Sequence, residues 1–212
     1  MESIISQIYS HVLLGQQKDV IKKVKIAIQQ DISPVSILNN GMITAMSEVG
    51  RLFEAGEYYI PEMLVAARAM QSGMNVLKPY LTDSEIHPAG RIAIGTVQGD
   101  YHDIGKNMVK MMLEGSGFEV IDLGVDVDPN KFISSVTDQQ VDMIAMSALI
   151  TTTMPGMQPV IQMLVDAGLR GRVKVMVGGA PLTEEFARRI GADGYAPDAS
   201  RAVSLAKALL SE

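Results

Sequence analysis

The residues best suited to chemistry lie in one short run, Gln98-Gly99-Asp100-Tyr101-His102-Asp103-Ile104-Gly105-Lys106-Asn107. Asp100 and His102 are two apart. At that spacing a carboxylate can accept a hydrogen bond from one imidazole nitrogen and leave the other facing outward. The arrangement suits a metal-ligating histidine or a general base, and equally a loop histidine that only caps a helix. Gly105 suits a close approach of backbone to something bulky at a helix start. Two further polar or glycine-marked runs stand downstream, Ser147-Ala148-Leu149-Ile150-Thr151-Thr152-Thr153 and Gly178-Gly179.

A metal held at His102 would find few other protein donors. The chain of 212 residues has no Cys and three His: His11, His87 and His102. Disulfides, thiolate metal sites, iron–sulfur clusters and thiol nucleophiles are excluded, and a multi-histidine cage is disfavoured. An ion kept by one protein ligand must bring its own equatorial ligands, as a macrocycle does. Haem and corrin are the candidates, and no C-x-x-C-H haem attachment exists.

Composition narrows the setting. Lys+Arg total 18 against Asp+Glu 24, a formal charge of −6, which disfavours a partner bound through its phosphates, so no nucleic-acid partner is expected. Hydrophobic residues make up 47% and charged residues 20%, which excludes disorder. No apolar run approaches about 18 residues, so no membrane span is expected. The stretch MESIISQIYSHVLLGQQ lacks a basic leader and carries polar residues through its apolar part, so a cytoplasmic protein without a secretory signal is expected. Fifteen Met against 4 Phe and no Trp imply a core of flexible, polarizable side chains.

Two periodicities divide the chain. From residue 3 to about 81 the apolar spacing is helical: Val35, Leu38, Met42, Met46, Val49 and Phe53 share one face, and Met63, Ala67, Met70, Met74, Leu77 and Leu81 another. Pro34 after Ser33 reads as a cap plus first-turn proline, and Pro61 opens the next helix. With shorter segments near 3–14 and 18–30, this predicts a small antiparallel helical bundle over 1–84. TDSEIHPAG (82–90) is polar and aperiodic, and 85–90 is read as a linker and hinge. Over 91–212, short apolar runs (IAIGTV, EVIDLG, DMIAMSAL, VKVMVGG, GYA) alternate with helical stretches. That pattern predicts a five-stranded parallel α/β sheet of the Rossmann or flavodoxin-like kind. With strand order 2-1-3-4-5, the loops after strands 1 and 3 lie side by side, where ligands bind in such sheets. Gly95, Gly99 and Gly105 do not have dinucleotide-fingerprint spacing. Strand 3 ends in hydroxyls where a phosphoryl receiver would carry an acidic acceptor.

Asp100-x-His102-x-x-Gly105, then Ser147-x-Leu149, then Gly178-Gly179, resemble the D-x-H-x-x-G … S-x-L … G-G signature of cobalamin-binding domains. NNGMITAMSEVGRLFEAGEYYIPEMLVAARAM (39–70) is similar to the helical cap domain of methionine synthase and of methanogen and acetogen corrinoid proteins. The complete chain resembles a stand-alone corrinoid protein of a methyltransferase system. The resemblance implies cobalamin or a related corrinoid, cycling between cob(I)alamin and methylcob(III)alamin, with His102 as the axial cobalt ligand. It implies that Asp100 orients His102 and that Thr153 completes the ligand triad. Gly99, Tyr101, Asp103 and Ile104 belong to the same binding loop. Ser147, Leu149, Thr151, Gly178 and Gly179 would line the slot for the detached nucleotide tail, a slot that Gly179→Leu would fill. Ala199 would sit at the cofactor's far edge, and Phe53, Ile60 and Met63 would cover its upper face.

The resemblance further implies a carrier without catalysis of its own, in anaerobic one-carbon metabolism. It would accept a methyl group on Co(I) from a donor-specific methyltransferase and deliver it to an acceptor methyltransferase that uses tetrahydrofolate or a thiol. A reductive activator of the corrinoid would be a third partner. The alternatives are the cobalamin-binding subunit of an adenosylcobalamin-dependent mutase, which would lack the helical cap, or a cobalamin sensor.

Overall fold

The computed structural model describes residues 3–81 and 88–211, in two compact units. The expected boundary at 84/85 and residues 85–87 of the expected linker lie outside the described residues, whereas 88–90 and the boundary at 90/91 lie within them. At its far end Gly90 already accepts a hydrogen bond from the Glu119 N–H at 3.0 Å.

The first unit is helical. Its elements are α1 (Ile4–Leu13), α2 (Gln17–Gln29), α3 (Pro34–Ser36), a π-helical stretch (Ile37–Ile43), α4 (Thr44–Glu54) and α5 (Ile60–Leu77). Ser3 caps α1 by accepting from the Ser6 N–H at 3.1 Å. Pro34 occupies the first turn of α3 as expected, but the Ser33 side chain makes no capping bond. Glu62 reaches back to the Tyr59 N–H at 3.0 Å and closes the start of α5, so that helix opens one residue before Pro61. Ile37/Leu38, Gly41/Met42 and Ala45/Met46 are buried at a spacing of four, which drifts by about 40° per repeat on a 3.6-residue helix. The wider π turns take up part of that drift. At Gly73 an added Cβ would lie 2.7 Å from Val20 and 2.8 Å from Met42, so only glycine lets α2 and the π stretch come this close to α5.

The second unit alternates strands and helices: β1 (Arg91–Val97), α6 (Ile104–Gly115), β2 (Glu119–Val127), α7 (Pro129–Asp138), β3 (Met143–Ser147), α8 (Met157–Asp166), β4 (Lys174–Gly178), α9 (Glu184–Ile190), β5 (Gly194–Ala196) and α10 (Ala199–Leu210). All strand pairs are parallel, in the order β2-β1-β3-β4-β5. Ile92, Ala93, Ile144 and Val175 are fully buried, as strands covered on both faces require. Phe132, Met157, Leu164 and Val177 form one core cluster with Ala93, Ile144 and Val175.

Two strands differ from the sequence reading by more than one residue at an end. β3 stops at Ser147, two residues early, because the following backbone turns inward to meet Asp100. β2 runs three residues beyond Gly124 through two register shifts: Ile94 pairs with Asp122, Gly95 with Gly124 and Val97 with Val127, leaving one extra residue on β2 at each step. These are bulges.

Candidate functional site

The strand order sets the loop after β1 beside the loop after β3. Thr96 near the end of β1 lies in register with Ser147, and Ser147 with Gly178. Past Val97 the chain turns through Gly99, whose φ of 81° is a left-handed conformation that glycine adopts without strain. The Asp100 N–H donates to the Val97 carbonyl at 3.1 Å, and the Thr96 hydroxyl donates to the His102 carbonyl at 3.0 Å. The loop is thus tied back to its own strand.

Its centre is the Asp100 carboxylate, whose side chain is fully buried. Oδ1 accepts from the His102 N–H at 3.1 Å and pairs with His102 Nδ1 at 2.8 Å. Oδ2 accepts from the Leu149 N–H at 2.8 Å and from the Thr153 hydroxyl at 2.6 Å. Burial alone would raise the pKa of this acid. The bonds from Thr153, Leu149 and His102 outweigh it and hold the carboxyl well below the usual carboxylate range. A carboxylate can only accept, so Nδ1 carries the hydrogen and Nε2 presents its lone pair. The His102 side chain remains 54% exposed above its sealed partner. This is a single outward imidazole donor of fixed tautomer, and it can bind a metal ion or take a proton. Among the described residues no group of three or more His, Cys, Asp and Glu gathers to hold an ion by itself.

The surrounding expected residues fall into three sets. Tyr101, Ile104 and Leu149 in the loops that carry the relay are exposed, at 68%, 81% and 44%, as is Ile150. An added Cβ on Gly105 would meet nothing within 4 Å. Asp103 instead serves α6, accepting from the Asn107 N–H at 2.7 Å and its side-chain amide at 3.0 Å.

In the second set, Ser147 is half-buried and Thr151 exposed. Gly178 and Gly179 are needed by the fold itself. At Gly179, with φ 135°, a Cβ would lie 1.9 Å from the Ala148 carbonyl oxygen, and at Gly178 it would lie 2.9 Å from the Ala196 oxygen. A Gly179→Leu substitution would therefore break backbone packing before it could fill a ligand slot. Ala199 is buried at the start of α10, after the Asp198 cap.

The third set belongs to the first unit. Phe53 is half-buried near the end of α4, Ile60 is exposed at the start of α5, and Met63 is buried one turn on.

Sequence reasoning missed three supports. Thr96 was visible as the lone hydroxyl in an apolar strand. Asp126, in Gly124-Val125-Asp126, accepts from the Gly99 N–H at 2.7 Å and from the Tyr101 hydroxyl at 2.8 Å. Lys106, 3% exposed, pairs with Asp122 at 2.7 Å and anchors the first turn of α6 to β2. Lys110 joins the same carboxylate at 3.2 Å.

Comparison with known proteins adds an independent line. Residues 90–204 match a family model described as a B12 binding domain, and residues 4–78 match a second model of the same description. The sequence is 43% identical over 210 residues to dimethylamine corrinoid protein 3 of Methanosarcina acetivorans, covering 99% of this chain and 98% of that one. To the trimethylamine corrinoid protein of Methanosarcina barkeri it is 44% identical over 186 residues, covering 87% and 86%. Among solved structures it is similar to a chain of the methanol:cobalamin methyltransferase complex MtaBC from Methanosarcina barkeri. There the TM-score is 0.88 at 28% identity, over 98% of this chain and 80% of that one.

Proposed function

The chain belongs to the corrinoid proteins built on B12 binding domains, and we propose that it carries a methyl group on a bound corrinoid between methyltransferases. The observation that carries this reading is the Asp100–His102–Thr153 relay, which leaves Nε2 outward at the carboxyl edge of a parallel sheet.

The residues present fit such a cofactor. Nε2 offers one nitrogen donor, Gly105 leaves open space, and Tyr101, Ile104, Leu149 and Ile150 expose apolar surface suited to a broad ring. When bound, the corrinoid supplies a cobalt centre able to take and give up a methyl group. His102 would hold it through Nε2. Asp100 keeps the hydrogen on Nδ1 and fixes the plane of the imidazole. The Asp100 carboxylate stays ionised because of its own hydrogen bonds and keeps its negative charge against the ring. Thr153 supports that state by donating to Oδ2. Ser147, Thr151 and the Gly178–Gly179 backbone are the residues we assign to the nucleotide tail, with Ala199 at its far end. Phe53, Ile60 and Met63 are assigned to the upper face, where apolar cover keeps water out.

The partners are methyltransferases. The relatives named for dimethylamine and trimethylamine favour a donor-side enzyme for methylamines. A second enzyme with tetrahydrofolate or a thiol as acceptor, and a reductive activator, complete the proposal. The mutase-subunit and sensor alternatives are not favoured, because relatives covering nearly the whole chain are corrinoid proteins.

Purified protein mixed with hydroxocobalamin should retain it through gel filtration with the absorption of a histidine-ligated corrinoid. His102→Ala should still retain it, with a changed spectrum and slower methyl transfer. Wild type that binds nothing refutes the function, and an unchanged variant spectrum refutes the ligand.

A further inference from the structure

The three residues before the ligand histidine are each bonded to one residue that is remote in sequence. Gly99 donates its N–H to Asp126 Oδ1 at 2.7 Å, and the Tyr101 hydroxyl donates to Asp126 Oδ2 at 2.8 Å. Between them, the Asp126 N–H donates to the Asp100 carbonyl at 2.9 Å. Asp126 sits at φ 51°, left-handed for a residue with a Cβ, inside the second bulge of β2. Bulges re-aim side chains, and strained residues persist where surroundings over-determine them. Here the extra residue turns both the N–H and the carboxylate of Asp126 onto the neighbouring loop. The two donors also hold its carboxyl below the usual range, Gly99 contributing most, so it remains a charged acceptor.

We infer that Asp126 is a positioning residue: by clamping Gly99, Asp100 and Tyr101 it fixes the direction in which His102 presents Nε2. Asp100 sets the tautomer and plane of the ring, but the backbone that carries both Asp100 and His102 hangs between β1 and this bulge. With the Asp126 carboxylate removed, Thr96 and Asp100 still bond to His102, whereas the loop's outer side loses both side-chain ties to β2 and keeps only the bond from the residue 126 N–H to the Asp100 carbonyl. The inference rests on the corrinoid reading above and adds to it a residue outside the Asp100–Thr153 relay.

The test is electron paramagnetic resonance of the protein loaded with cob(II)alamin, whose lines are split by an axial nitrogen. Wild type should show one nitrogen-ligated species. Asp126→Ala should show a mixture of ligated and unligated cobalt, with corrinoid affinity lowered roughly tenfold, as for residues that orient a metal's ligand. Tyr101→Phe, an exposed change that spares the fold, removes one of the three bonds and should give a smaller unligated fraction. It keeps the test open if the alanine variant folds poorly. Asp128→Ala, which removes the α7 cap made by accepting from the Asn130 N–H at 2.8 Å, should lower the melting temperature and keep a single ligated species. Wild-type spectra in both Asp126→Ala and Tyr101→Phe overturn the inference, as does an equal mixture in Asp128→Ala. Wild-type protein that lacks the nitrogen splitting overturns the functional reading instead.

Discussion

Replacing Asp100 with Asn tests the relay at its buried centre. The carboxylate accepts four hydrogen bonds with its side chain fully shielded, so no solvent discount applies. Asn keeps one oxygen, which can still serve the His102 N–H and Nδ1, but without the charge. At the other position its NH2 would face the Leu149 N–H, a donor against a donor. Thr153 can adapt, since its hydroxyl already lies 3.0 Å from the Ile150 carbonyl and can accept from the amide instead. One stranded buried N–H and the weakening of two charge-assisted bonds sum to about 2–4 kcal/mol. For a chain of this length that is a fall of roughly 10 °C in melting temperature. The assay is urea unfolding of the corrinoid-free protein followed by circular dichroism. Because the folded pKa of Asp100 is depressed, its contribution is fully present above the unfolded value of about 4 and is lost as pH falls toward the folded one. The difference between wild type and Asp100→Asn should therefore be constant from pH 5 to 8 and shrink below about pH 4. Equal stability of the two proteins at pH 7 would refute the count of bonds.

Two further substitutions separate glycines that the fold needs from one that the ligand needs. Gly179→Ala should cost at least about 3 kcal/mol, since a Cβ would meet the Ala148 oxygen at a φ that only glycine tolerates; normal thermal stability would contradict this. Gly105→Ala should leave stability unchanged or up to about 1 kcal/mol higher, with corrinoid affinity falling several-fold in a binding titration, because its open face is reserved for the ligand. Unchanged affinity would place the ring elsewhere. Lys106→Met should cost about 2 kcal/mol, less than the usual penalty for breaking a buried pair, because Asp122 keeps Lys110 and the Gly124 N–H. Chemical denaturation at neutral pH checks it, and a loss near zero would mean that the pair does not hold α6.

Much of the sheet unit could be read from the chain, because strands buried on both faces print as short apolar runs and helices as a 3.6-residue pattern. The Asp100–His102 pair was legible for a similar reason, since both members lie in one loop two residues apart. Thr153 was placed only through the resemblance to cobalamin-binding domains. The distance of 53 residues between it and Asp100 is closed by the β1–β3 pairing, which no local pattern displays. Asp126 was invisible because its position depends on two extra residues in β2, and bulges leave no periodic trace. The π stretch was read as ordinary helix, because apolar residues every three or four positions suit either winding. Gly179 was seen through its motif, but the second demand on it was not: the backbone of Ala148 requires a glycine there whatever the ligand.

The bulges bear on solubility as well. β2 is the last strand on its side of the sheet, nine residues long, with its outer row of peptide groups unpaired within the sheet. A straight strand of that length would invite another chain to add to it and begin aggregation. Leu123 and the left-handed Asp126 each break the regular ladder. The kink that turns Asp126 toward the histidine loop thus also spoils the template for an incoming strand, and straightening β2 should make the protein stickier as well as loosen its ligand.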